Sequence, residues 1–225
     1  MKEALQYVSW AVGLWLELLV IYALWRGPYR QYRLALAYAV ALLLATVVEI
    51  SAATAKPALP LYIYYWIDEG ILDILVFCVV IGFIDQAAAR ARRRPVKRRW
   101  LIAGAALIVV TSGALRIGPA HFNHRMTLVS RDLNLCAVVL DLILWSILIT
   151  SRSPDRHLLL LSGGLGIQLT GAIIGESVGQ ISRAAVFPGV LLEVLTFFAG
   201  LYIWWRAFRI GAAQPPTPPV TEPRA

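Results

Sequence analysis

Seven apolar runs, each long enough to cross a bilayer, leave this chain very little else to become. They cover residues 4–25, 34–53, 61–86, 100–117, 129–150, 158–182 and 187–207. The hydrocarbon core of a membrane is about 30 Å thick, and a helix of roughly 20 residues spans it. The spacing therefore predicts an all-α fold, a polytopic bundle of seven transmembrane helices joined by short loops. Composition agrees. The chain is 59% hydrophobic with a mean hydropathy of +0.69, against about 45–50% apolar in soluble domains. Its 225 residues leave no room for a separate soluble domain. The division expected is a transmembrane domain over 1–209 and a Pro-rich, disordered cytoplasmic tail over 210–225. The first run is read as a span and not a signal peptide, because it is long and ends in Trp25-Arg26-Gly27-Pro28 with no small-residue cleavage site.

Net charge is +8, but the basic residues sit between the apolar runs, so they speak of orientation and anionic lipid and not of nucleic acid. Counting alternate loops puts fifteen Lys and Arg on one side, including Arg26, Arg30, Arg33 and the run from Arg90 to Arg99, and six on the other. The positive-inside rule then sets the N-terminus outside and the C-terminus in the cytoplasm. The Arg90–Arg99 loop is the expected contact for anionic lipid. Tyr62, Tyr64, Tyr65 and Trp66 read as an aromatic belt at the outer end of the third run, and Trp204 and Trp205 as inner-end markers of the seventh. Cys78 and Cys136 both fall inside apolar runs, which is no disulfide framework.

Six of the seven runs hold a carboxylate: Glu17, Glu49, Asp73, Asp141, Glu176 and Glu193. A central Asp costs about 2.5–3.5 kcal/mol on insertion scales, so each asks for a reason. Asp68, Glu69, Asp132 and Glu49 fall where the interface tolerates charge. Five remain as candidate substrate- or ion-binding residues: Glu17, Asp73, Asp141, Glu176 and Glu193. Helical spacing gives them polar company, with Gln6, Trp10, Gly13 and Glu17 on one face, and Asn134, Asp141 and Trp145 on another. Glu176 shares a stripe with Gln180 and Arg183. Gly189, Glu193, Thr196 and Gly200 make a small, polar stripe on the last run. Two readings stand. The acids line a wet chamber open to the outside, or they pair with Arg116, Arg131 and Arg183 as counter-charges in a static network.

Gly171, Gly175 and Gly179 repeat every four residues beside Glu176. This small-residue pattern serves close helix packing, within the chain or between copies in a homo-oligomer. His121 and His124 in an outer loop are thin grounds for a metal, and neither a metal nor a cofactor is expected. The only lysines, Lys2, Lys56 and Lys97, lie outside the runs, which disfavours a retinal Schiff base. No zinc-hydrolase, serine-hydrolase or phosphate-loop motif is present, so an enzyme is the weaker expectation.

The stretch Tyr62-Ile-Tyr-Tyr-Trp-Ile-Asp-Glu, and the Gly-rich sixth run with its late Glu, resemble a group of short, seven-span bacterial inner-membrane proteins. The resemblance implies a bacterial inner membrane; it brings no activity and no site residues. The residues themselves point to a small transporter or permeation protein for a proton, cation or cationic solute. A ligand-binding or sensory module, or an assembly factor acting through a partner protein, is the alternative.

Overall fold

The computed structural model describes residues 2–27, 31–54, 61–90, 122–150, 156–182 and 184–212. They form six helices: α1 (Lys2–Arg26), α2 (Arg33–Thr54), α3 (Leu61–Arg90), α4 (Phe122–Thr150), α5 (Arg156–Ile181) and α6 (Val186–Ala212). Each contains a stretch long and apolar enough to cross a membrane. The expected span over 100–117 and most of the Arg90–Arg99 loop lie outside the described residues, as does the chain beyond Ala212. Helices outrun their apolar cores because hydrogen bonding, not hydropathy, ends them. Thus α4 starts at Phe122, seven residues before the apolar run, and α6 continues to Ala212. Pro188 is the third residue of α6, where its missing N–H falls among groups that have no intrahelical partner anyway.

The outside of the bundle is as apolar as its inside. Trp15 is 67% exposed, Leu44 58%, Ile74 60% and Ile149 62%. Such a surface would drive aggregation in water; in a bilayer it meets lipid. Inside, α1 turns Glu17, Val20 and Leu24 inward, and α5 turns Leu158, Leu161, Leu165 and Leu169, each set spaced by three or four residues as one helical face requires.

Packing closes a ring in chain order: each helix touches the next, and α6 touches α1, with α3 also reaching α5. Side-chain contacts give the directions. Gln86 near the end of α3 donates to the Gln31 carbonyl before α2, so α2 and α3 are antiparallel. Six residues join α1 to α2, a reach of about 20 Å, and Leu161 early in α5 meets Trp204 late in α6; both of these touching pairs are antiparallel too. Five residues join α4 to α5, a reach of about 20 Å at most, so these touching helices also run opposite ways. By contrast Tyr32 contacts His157 and Tyr38 contacts Gln168, which makes α2 and α5 parallel. It follows that α1, α3, α4 and α6 all run one way. Arg26, Arg33, Arg156, Arg206 and Arg209 consequently gather at one end of the bundle.

At that end Tyr32, Phe83, His157, Trp204 and Phe208 cluster with centroids 5.3–6.4 Å apart, four of the ring pairs edge to face and Tyr32–His157 and Phe83–Trp204 tilted. Trp204 is 2% exposed and its indole N–H donates to the Leu161 carbonyl at 2.8 Å. It is a core residue and not the interfacial marker its sequence position suggests; only Trp205, stacked under Arg209 at 5.5 Å, keeps an interfacial setting. The glycine stripe of α5 packs on α6 of the same chain. A Cβ at Gly175 would lie 2.7 Å from the Gly189 carbonyl oxygen, and a Cβ at Gly189 would lie 2.5 Å from that of Gly175. Backbone meets backbone there, which is the contact small residues permit.

Candidate functional site

Hydroxyl side chains on membrane helices usually satisfy themselves on their own backbone. Ser51, Thr54, Ser146, Ser177 and Thr196 do so, each donating to the carbonyl four residues back. Thr46 and Ser162 depart from the habit, and both donate to a buried carboxylate on the neighbouring helix.

Thr46 of α2 donates to Glu17 Oε1 at 2.9 Å. Glu17 is 1% exposed, and its Oε2 has no hydrogen-bond partner among the described residues. Gly13, one turn earlier on α1, lies against Phe198 of α6, so this face of α1 looks into the ring. Ser162 of α5, fully buried, donates to Asp141 Oδ1 at 2.6 Å; Asp141 is 3% exposed. Its other oxygen is accommodated by a glycine, since a Cβ at Gly166 would sit 2.6 Å from Asp141 Oδ2. Neither acid has a cationic partner among the described residues. A buried carboxylate held by one hydroxyl keeps a charge that only a proton or a bound cation can neutralise.

Between these two pairs lies a third polar contact. Gln168 of α5 donates to the Tyr38 hydroxyl of α2 at 3.0 Å. Gln168 itself fits against Gly200 of α6, where an added Cβ would come within 3.2 Å of Gln168 Cβ. The three contacts make a ladder through four helices: Glu17–Thr46 joins α1 to α2, Tyr38–Gln168 joins α2 to α5, and Ser162–Asp141 joins α5 to α4. Thr46 and Tyr38 are two turns apart, about 12 Å, and Gln168 and Ser162 are about 9 Å apart.

The remaining expected acids stand differently. Asp73 of α3 is buried at 6% exposure. Glu176 is half-buried on α5 and accepts a bond from Gln180 of its own helix at 3.3 Å. Glu193 is exposed on α6, with its Cβ beside Gly175. Arg116, Arg183 and the Arg131 side chain lie outside the described residues. Among those residues no three His, Cys, Asp or Glu side chains converge as metal ligands would. Glu17 and Asp141 occupy different interfaces, the first between α1 and α2 and the second between α4 and α5. Thr46, Ser162, Tyr38 and Gln168 escaped the sequence reading. Each is an ordinary residue along its own helix, and only the neighbouring helix reveals what it faces.

Fold and site together define a multi-pass helical membrane protein with carboxylates buried between its helices. Comparison with known proteins adds no kinship: no family model matches the chain, and neither a curated protein nor a solved structure does.

Proposed function

We propose that this protein is a seven-span transporter or permeation protein of a bacterial inner membrane, passing a proton, cation or cationic solute, with its N-terminus outside. The observation that carries the transport reading is the polar ladder, two buried carboxylates with no cationic partner among the described residues, at the ends of a contact between α2 and α5. A carboxylate used only as helix glue is better served by an Arg or a backbone donor. One held by a single hydroxyl is ready to exchange a proton or cation. Glu17 and Asp141 are the acceptors, Thr46 and Ser162 orient them, and water completes the two gaps. Asp73, Glu176 and Glu193 are the remaining members of the path.

The parallel course of α3 and α4 supports seven crossings, because the chain between Arg90 and Phe122 leaves one side of the bundle and re-enters from the other. The arginines gathered at one end support the orientation.

The test is flux into vesicles of purified protein, followed with an interior pH dye and with cation-selective dyes under an imposed potential. Wild type is expected to carry protons or one of the cations. Glu17→Gln and Asp141→Asn are expected to cut that flux at least tenfold while eluting as folded protein, and Asp73→Asn and Glu176→Gln to reduce it. Wild-type flux in both of the first two variants refutes the role of the ladder. Absence of any flux in wild type favours the ligand-binding, sensory or assembly alternative.

A further inference from the structure

A cleft of about 140 Å³ opens between the start of α2 and the end of α3, at the basic end of the bundle and apart from the carboxylate ladder. Its mouth is polar, with Gln31, Arg33 and Gln86, and its wall is apolar, with Leu34, Val79 and Gly82. We propose that this cleft binds one anionic phospholipid, the phosphate on Arg33 and the start of an acyl chain along Leu34, Gly82 and Val79.

Three observations carry it. Arg33 is exposed and engages no acid or other partner among the described residues, although it lines the cleft, and no carboxylate shares the lining. The mouth is fixed, since Gln86 Nε2 donates to the Gln31 carbonyl at 3.0 Å and ties the two helices together there. The wall is set by Gly82, against which Leu34 packs closely: an added Cβ would come within 3.1 Å of Leu34 Cδ1. The choice of lipid over a free phosphate follows from the shape. From Gln86 to Val79 the lining runs about 10 Å down α3 into its apolar span, and a small anion would use the arginine alone. An anionic headgroup is drawn to this end by the same arginines that orient the protein, each worth about 1 kcal/mol near an anionic surface.

The experiment uses the full chain purified in a mild detergent with palmitoyl-oleoyl phosphatidylglycerol as the probe, and counts retained lipid by native mass spectrometry. Wild type is expected to keep one tightly held phosphatidylglycerol in preference to phosphatidylcholine. Arg33→Gln should lower its affinity about fivefold, the loss of one such arginine, and Gly82→Leu should weaken it by driving Leu34 out into the cleft. Retention of the lipid by Arg33→Gln at wild-type affinity overturns the proposal. So does its displacement by millimolar inorganic phosphate, which would make the site one for a free anion.

Discussion

Asp141 occupies its place because residue 166 has no side chain. The carboxylate presses one oxygen on Ser162 and the other into the space over Gly166. Gly166→Ala must push Asp141 aside, whereas the same change with Asp141→Ala has nothing to displace. Residues in direct contact couple by about 0.5–3 kcal/mol. The double variant is therefore expected to be more stable than the two single losses predict when unfolding is followed in mixed micelles. Strict additivity would show that the two do not meet. The hydroxyls give a milder test. Thr46→Val and Ser162→Ala each remove one interhelical bond, worth about 0.6–1.7 kcal/mol in a membrane bundle. Both should lower stability by that order and lower flux as well. Unchanged flux in both would separate the hydroxyls from the path and leave them as packing contacts.

At the scale of the helix, α5 shows two uses of glycine on one element. Gly175 lets the α6 backbone approach and Gly166 makes room for an acid, on opposite flanks. The stripe legible in the sequence as close packing is spent on α6, so association between copies through the same glycines would have to displace that helix. Gly70 in α3 supplies the control, since a Cβ there meets nothing within 4 Å. Gly70→Ala is expected to be neutral or to stabilise by up to about 1 kcal/mol, the gain in helix propensity. Gly175→Ala and Gly189→Ala should instead each destabilise by about 1–3 kcal/mol through overpacking. Thermal unfolding of the three variants in one detergent compares them directly. If Gly175→Ala behaves like Gly70→Ala, the α5–α6 contact is looser than its backbone distances state.

For the molecule as a whole, the directions of the helices make a prediction about sidedness. With Cys78 and Cys136 replaced by Ala, single cysteines are placed at Gln31, Ala88, Asn123 and Ala184. A membrane-impermeant maleimide is expected to reach Asn123→Cys and Ala184→Cys from outside, and Gln31→Cys and Ala88→Cys only from the cytoplasmic face. Labelling of Ala88→Cys and Asn123→Cys from the same side would refute the parallel course of α3 and α4, and with it the seventh crossing. A fully inverted pattern would keep the ring and reverse the orientation.

The apolar runs by themselves determined the six helices, because twenty apolar residues in succession have one stable form in lipid, and the helix bounds follow from there within a few residues except at α4. The arginines offered an expectation of sidedness, since charge is excluded from the core wherever it falls in the chain, while the contacts between helices are what bring Arg26, Arg33, Arg156, Arg206 and Arg209 to one end. The sequence also marked Glu17, Asp73 and Asp141 as costly, and all three are buried. It ranked Glu176 and Glu193 beside them, although Glu193 is exposed and Glu176 half-buried. Helices this apolar carry no face that announces itself, so periodicity could not tell an inward acid from an outward one. Only the tertiary structure decided that Thr46 and Ser162 are the partners, that Trp204 is core, and that Glu17 and Asp141 occupy different interfaces. Those facts depend on which helix lies alongside, and a contact between residues 17 and 46 or 141 and 162 leaves no trace in the local sequence of either.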